Sequence, residues 1–440
     1  MGEQRYDVVI VGGRPGGASL AARLGAAGVR TLVVERARFP SAPAVSAPFL
    51  MPHAMALLDE IGADEAEYAA ETPRLRSFVL ELAGYFRSKL DFESELAGRS
   101  YYYTIDRAQL DTAIWRGLSR FASVEAWSEA KVCGLLREGD AVRGVVVERG
   151  DGARVEISAG AVIGADGRFS TVAKQVDARV TERREDVETT VYYGVWEGVA
   201  DYEGPEPLAQ IHSGCDGFAF VFMPTARGQT LVLAQGRADA FAALEGDPAA
   251  IYEGLLRARP RVWWRLAGAR RVGALAGMKR VGNLFHEAGG DGWALVGDAY
   301  HQKDSIDAQG IYDALLGAKL LAASIVRWRA GAIDWQGAVK EYEAGIYAAC
   351  KPMFDSTMGR LAREIYQVPP PMAAKTVMRW MLTHPDYGRR YSALVTRQIE
   401  PARFLAPPVM LTMIAKGAAQ RLGRRLRGVD PSDPLPLRSV

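Results

Sequence analysis

Cysteine is scarce in this 440-residue chain. Cys133, Cys215 and Cys350 lie far apart with no C-x-x-C spacing, which excludes a disulfide-stapled scaffold and a thiolate zinc site. Histidine is almost as rare. His53, His212, His286, His301 and His384 form no H-E-x-x-H pattern, so no metal centre is expected. Neither charge sign dominates: 54 Lys and Arg face 52 Asp and Glu, and a net charge of +2 makes no electrostatic case for nucleic acid. No apolar run reaches the roughly 18 residues of a membrane span. There is no internal repeat, no low-complexity segment and no secretory leader, so the thiols are expected to be reduced and the protein cytoplasmic. The length allows two domains and a large core.

What the chain does carry begins at residue 6. Tyr6 to Val11 is a short β-branched run of the kind buried in parallel sheets. Gly12-Gly13-Arg14-Pro15-Gly16-Gly17 follows at once. Then come a helix-forming stretch to Ala27, a break at Gly28, a second strand from Thr31 to Val34, and Glu35 at its end. This is a βαβ unit with a phosphate loop and a terminal acid. Gly12 permits the tight turn, and Gly17 lets the helix pack closely on the strand. The helix N-terminus directs free N–H groups and positive dipole at a pyrophosphate. Glu35 can accept the hydroxyls of an adenosine ribose. Arg14 replaces the middle glycine of G-x-G-x-x-G and can place a guanidinium near the phosphates instead.

Two later strands also end in an acid. One runs from Ala161 to Asp166-Gly167, before Arg168-Phe169-Ser170. The other, Trp293 to Val296, ends in Gly297-Asp298; a loop follows, and Ala308-Gln309-Gly310 opens a long helix. A strand that stops at an acid and a glycine that opens a helix can set a carboxylate and free N–H groups beside one polar ligand. Residues 188–236 are strand-rich, and Phe218, Phe220 and Phe222 share one sheet face, as plain core or as a pocket wall. Asp106 is a helix N-cap with Arg107 in the first turn, placed on the surface or within reach of a phosphate. Ala130 to Cys133 starts a β-meander. The proline-rich stretch 37–54 either lines an active site or crosses the surface. The last helix, Val409 to Arg427, carries Lys416, Arg421, Arg424, Arg425 and Arg427 and no acid. It either touches anionic lipid or packs on the protein with a solvated face.

These three motifs, in this order around a strand-rich insertion, resemble the flavoprotein monooxygenases of the para-hydroxybenzoate hydroxylase fold. Their relatives, the geranylgeranyl reductases and flavin-dependent halogenases, share the pattern. The resemblance covers about residues 5–330. It implies FAD, with the pyrophosphate on Gly12, Gly13, Arg14, Pro15, Gly16 and Gly17, and the ribose on Glu35 beside Arg36. It implies Arg107 against FAD, the backbone of Val132 near adenine, and Asp166 in a motif that supports FAD and an NAD(P)H donor. Asp298 falls on the ribityl chain, and Gln309, Gly310 and Ile311 open the helix whose dipole faces the flavin pyrimidine. Trp196, Phe220, Phe222 and Ser305 are the expected substrate contacts. Ser305 stands where the family usually has a proline that shapes the oxygenation pocket. The halogenase Trp-x-Trp-x-Ile-Pro motif is absent. Phe220-Val221-Phe222-Met223-Pro224 loosely echoes the aromatic–proline motif of the lipid-reducing relatives.

The expected fold class is α/β. A Rossmann-like FAD domain of the glutathione-reductase type spans 1–75, 104–185 and 272–330. A β-sheet substrate domain takes 76–103 and 186–271, and a helical extension 331–440. The resemblance implies an NAD(P)H-dependent FAD monooxygenase of secondary metabolism. It would hydroxylate or epoxidise an apolar or aromatic small molecule with molecular oxygen, through a flavin C4a-hydroperoxide. The flavin carries the chemistry, so no catalytic side chain is assigned. The alternatives are a geranylgeranyl-type reductase of prenyl or lipid double bonds and a flavin-binding protein that has lost turnover.

Overall fold

In the computed structural model, which describes residues 5–41, 46–82, 84–202 and 204–428, the apolar run Arg5–Val11 is the central strand of a parallel sheet. Val8 to Val11 run beside Thr31 to Val34 on one side and beside Ala161 to Gly164 on the other. Val8, Val9 and Ile10 have no solvent exposure, so this strand is buried on both faces. Full burial of such side chains stabilises by about 1.5–3 kcal/mol each. Val124–Trp127 extends the sheet beyond Thr31–Val34, and Trp293–Leu295 extends it beyond Arg154–Gly164. All three acid-bearing strand ends therefore open at one edge: Glu35 after Val34, Asp166 after Gly164, and Asp298 after Leu295. The meander Ala130–Glu138, Ala141–Arg149 and Arg154–Gly164 packs alongside.

The strand-rich insertion builds a second, seven-stranded sheet. Its order is Arg270–Met278, Thr189–Glu197, Thr230–Arg237, Phe218–Pro224, Ala209–Ser213, Ser77–Leu82 and Phe86–Asp91. Arg270–Met278 pairs along Thr189–Glu197, so the boundary expected at residue 271 falls inside a strand of this sheet. One sheet face is covered by the helices Ala238–Ala242, Pro248–Arg257 and Pro260–Trp263 through Phe241, Tyr252, Leu255, Leu256 and Val262.

After Gly310–Arg329 the chain turns back through the thirty-residue helix Trp335–Glu364, which packs against it. The extension then crosses to the second sheet. Tyr387, Val395, Met381 and Met413 cover Phe78, Leu82, Phe86 and Leu90 on the face opposite the insertion's own helices. Among the described residues, no helix is long and apolar enough to cross a membrane.

Candidate functional site

The phosphate loop is closed by contacts that only glycine tolerates. Gly12 sits at φ +102°, and a Cβ there would lie 2.5 Å from the Ala165 carbonyl oxygen. A Cβ at Gly17 would lie 1.9 Å from the Gly12 oxygen, so the helix Pro15–Ala26 lies directly on the strand end. Glu35 is buried at the next strand end. Its carboxylate accepts from Gly13 N at 2.8 Å and Ala37 N at 2.9 Å, and Ala130 N donates to its carbonyl at 3.0 Å. That last bond sets the strand holding buried Val132 beside the acid. Arg36 is exposed next to it.

Arg14 lies at the helix entrance, but its guanidinium is held sideways. Nη1 pairs with Asp111 at 2.6 Å and donates to the Ser41 carbonyl at 3.1 Å, while Nη2 donates to Ser41 Oγ at 3.0 Å. The same Asp111 takes Arg107 through Nε and Nη2, both at 3.0 Å, and Arg107 Nη1 donates to Ser46 Oγ. A fully buried aspartate thus fastens two arginines side by side at the phosphate loop and leaves one surplus positive charge. Asp111 was not anticipated. The signal was there, since an acid four residues after Arg107 faces it on the same helix.

The Asp166 carboxylate does not point freely into the site. It accepts from Ser170 Oγ at 2.5 Å and Thr171 N at 2.6 Å, bracing the turn into Thr171–Gln175. Burial raises its pKa, and those hydrogen bonds oppose the rise. The link across the site comes from Arg168 of the same motif. Its Nε pairs with Asp298 at 3.0 Å, and its Nη atoms donate to the carbonyls of Gly282 and Lys303. Asp298 remains about one-third exposed, with lone pairs free for a hydroxylated ligand.

The loop between Asp298 and the long helix is anchored at both ends. Asp304 is fully buried; it accepts from Thr189 Oγ1, from Gln235 Nε2 at 2.7 Å and from Ile306 N, and its own N–H donates to Asn283. Thr189 and Gln235 belong to the second sheet, so this carboxylate ties that sheet to the loop and leaves Ser305 and Ile306 half-buried between them. Burial raises the Asp304 pKa, against its hydrogen bonds to Thr189 and Gln235. The helix Gly310–Arg329 starts without a side-chain cap, and so does Pro15–Ala26, whereas Asp106 and Ser170 cap neighbouring helices. Gly310 is exposed, and a Cβ there would meet nothing within 4 Å, while Ile311 is buried behind it. Two open, uncapped helix ends beside Glu35 and Asp298 fit the pyrophosphate and the flavin pyrimidine of FAD.

Gln309 is turned away from that opening. Its Nε2 donates to the Val395 carbonyl at 2.9 Å, and its Oε1 accepts from Arg397 Nε at 2.9 Å. Behind it lies a buried ionic cluster. Asp313 pairs with Arg397 at 2.8 Å and Lys303 at 3.1 Å, and Lys303 also pairs with Asp307 at 3.0 Å. Burial opposes the Asp313 charge, but Lys303 and Arg397 outweigh it and hold the carboxyl at about 2. Burial lowers His53 and His301 to about 3, so both imidazoles are neutral. His301, Asp313 and Cys350 converge within 4.8 Å, yet the two cations already on Asp313 take the charge a metal ion would need.

The aromatic face expected to meet substrate faces the other way. Phe220 and Phe222 are fully buried and Trp196 nearly so, in the core under the insertion's helices, and Trp196 Nε1 donates to Tyr252 Oη. Side chains alternate along a strand, so the opposite face carries Leu80, Ile211, Val221, Leu233 and Tyr193 in one row across five strands. Thr189 and Gln235 share that face and contact Asp304, so the row looks toward the Gly-Asp loop. Leu80, Ile211 and Val221 at one end are half-buried, while Leu233 and Tyr193 at the other are buried. Leu80 and Ile211 pack against the cluster that the C-terminal extension shares with this sheet face.

A family model described as FAD binding domain matches residues 5–325. Among curated proteins, digeranylgeranylglycerophospholipid reductase of Methanosphaerula palustris is 26% identical, covering 72% of this chain and 75% of the relative. Menaquinone reductase of Mycolicibacterium smegmatis is 28% identical, over 72% and 76%. The 6-methylpretetramide 4-monooxygenase of Streptomyces rimosus is 33% identical, but over only 38% of this chain and 40% of its own length. Among solved structures, flavin-dependent brominase Bmp2 superposes with a TM-score of 0.77 at 17% identity, over 96% of this chain and all of the other. A geranylgeranyl bacteriochlorophyll reductase-like protein of Thermoplasma acidophilum superposes with a TM-score of 0.72 at 17% identity, over 97% and 100%. At these identities the superpositions establish the fold, and the family match establishes the rest: the chain belongs to the FAD binding domain family and is a flavoprotein oxidoreductase of the para-hydroxybenzoate hydroxylase fold.

Proposed function

We propose that this flavoprotein is an NAD(P)H-dependent monooxygenase that hydroxylates or epoxidises an apolar or aromatic small molecule. The observation that carries the reading is the half-buried row Leu80, Ile211 and Val221 facing the Asp298–Gly310 loop and its uncapped helix end. Overall, one substrate, one oxygen molecule, one NAD(P)H and one proton give the oxygenated product, water and NAD(P)+. FAD, when bound, supplies the redox chemistry. The chain supplies position and field. Gly12–Gly17 and the helix behind them hold the pyrophosphate, Glu35 the ribose and Asp298 the ribityl chain. Arg14 and Arg107, fastened by Asp111, add positive charge at the phosphates. The open end at Gly310 favours negative charge on the pyrimidine, and the extension packed over Leu80 and Ile211 keeps water out of the cleft.

A second reading, reduction of prenyl or other lipid double bonds, is favoured by the two reductases matched over 72% of the chain and by Ser305 in place of proline. One experiment separates the two. The purified holoprotein is given NAD(P)H, a panel of aromatic and prenylated substrates, and isotopically labelled oxygen. Label in the product supports the oxygenase. A saturated, unlabelled product formed without oxygen overturns it in favour of the reductase. Absence of bound flavin in the purified protein overturns both.

A further inference from the structure

The helix Pro407–Leu426 lies outside the family match, and the flavin site makes no use of it. Its packed side carries Val409, Met410, Met413 and Ile414. Met413 is buried, and Gly417 lies so close to Trp380 that a Cβ would come within 2.2 Å of that carbonyl oxygen. The opposite side is apolar and open. At about 100° per residue, Leu411, Ala415, Ala418, Ala419, Leu422 and Leu426 fall in one sector roughly 100° wide, turned away from Met413 and Gly417. Leu411 is 65% exposed, Leu422 59% and Leu426 79%. Arg425 borders this stripe on one side; Lys416, which pairs with Asp386 at 3.1 Å, and Arg427 lie on the other, and no acid occurs from 407 to 428.

A single exposed leucine is ordinary. Three on one stripe of one helix, rimmed by cations, form the amphipathic pattern of a helix lying in a lipid interface. We infer that Pro407–Leu426 is a membrane-docking face that seats this protein on an anionic lipid surface. Charge complementarity selects that occupant. A second copy docked stripe to stripe would bring Arg425 and Arg427 of both copies together, with Asp386 already paired to Lys416 and Arg389, whereas anionic headgroups neutralise these arginines while the leucines enter the acyl boundary. The inference stands apart from the choice between oxygenase and reductase. It brings an enzyme with an apolar cleft to the phase where apolar molecules collect.

Co-sedimentation of the full-length holoprotein with vesicles of phosphatidylcholine, with and without phosphatidylglycerol, tests it. Binding is expected to the anionic vesicles and to be released by high salt. Each basic residue near such a surface contributes about five-fold, so Arg425→Glu with Arg427→Glu should weaken binding by at least about 25-fold. Leu411→Glu with Leu422→Glu should abolish it, while Leu244→Glu, an exposed leucine of the second domain, should leave it intact. Flavin content and circular dichroism of each variant confirm that the fold persists, since the altered positions are exposed. No pelleting of the wild type, or pelleting untouched by both double variants, overturns the inference. So does a dimer in solution that the leucine variant dissociates without any vesicle binding.

Discussion

Arg397 belongs to the C-terminal extension, yet its guanidinium reaches the start of the helix Gly310–Arg329. It pairs with Asp313 at 2.8 Å, donates to Gln309 Oε1 at 2.9 Å, and donates to the Ala349 carbonyl at 3.0 Å. Arg397→Met keeps the stem and removes the charge. Breaking one partner out of a buried ion pair costs about 3–5 kcal/mol. Asp313 retains Lys303 at 3.1 Å, which places the loss at the lower end, about 3 kcal/mol. The pH dependence gives an independent check. Asp313 is held at about 2, below its ordinary 3.8, so its contribution is fully present above 3.8 and is lost as pH falls through about 2. That depression corresponds to about 2 kcal/mol of net stabilisation shared between Lys303 and Arg397. Without Arg397 the carboxyl moves back toward 3.8, so the variant's deficit should be largest near neutrality and should shrink below about pH 4. Urea unfolding of wild type and variant, followed by circular dichroism from pH 7 to pH 3, measures both. FAD affinity should fall by about tenfold as Gln309 loses one of its two anchors, an effect of about 1.4 kcal/mol. A deficit under about 1 kcal/mol at pH 7, or one that does not change down to pH 3, would refute the account of this cluster.

Asp298→Ala should release FAD and leave Arg168 without its acid; a variant that stays fully yellow after dialysis would show that Asp298 does not hold the cofactor. The two sheet faces should respond in opposite ways. Val221→Trp fills the cleft and should raise KM with flavin content and urea midpoint near wild type, whereas Phe222→Ala empties the core and should cost about 3–5 kcal/mol of stability. Equal effects on both would mean that the cleft lies elsewhere. Ser305→Pro should be tolerated, because position 305 opens a short helical turn after Asp304, where proline's fixed φ and missing N–H are harmless. If this loop borders the reacting centre, the share of consumed NAD(P)H that ends as hydrogen peroxide changes; an unchanged share places the loop outside it.

The βαβ unit was fully legible in the sequence because its signals are local: a β-branched run, glycines at fixed offsets and an acid one strand later. Asp166 and Asp298 were legible as strand ends, but not their division of labour. Whether a carboxylate caps its own turn or faces a ligand depends on which donors fold back onto it, here Ser170 and Thr171 for one and Arg168 for the other. The aromatic face was read with the right period and came out as core, since period-2 alternation defines two faces but not which of them a helix covers. Asp304 carried only the local signal of a turn cap through Ile306 N, and Arg397 carried none that pointed to its long-range partners. Their partners lie 115 and 69 residues away for Asp304, and 84 and 88 for Arg397.

Those long-range anchors bear on where specificity resides. The family match ends at residue 325 and takes in the phosphate loop, Glu35 and Asp298, the residues proposed to hold the cofactor. The proposed cleft is assembled differently. One wall is the row through Leu80, Ile211 and Val221, and Leu80 and Ile211 pack against a cluster to which Met381, Tyr387 and Val395 of the extension contribute. The opposite wall, the loop from Asp304 to Gly310, is held to the sheet by Thr189 and Gln235 and to the extension by Arg397 and the Val395 carbonyl. A change in the extension therefore moves both walls while leaving the nucleotide loop untouched. Substrate choice should accordingly follow residues 378–398 together with the central sheet row, and the 1–41 segment should govern cofactor affinity alone. Exchanging the extension for that of a relative should alter KM and product profile at constant flavin content. Loss of flavin in such a chimera, with its secondary structure intact, would show that the two walls and the cofactor site are one unit.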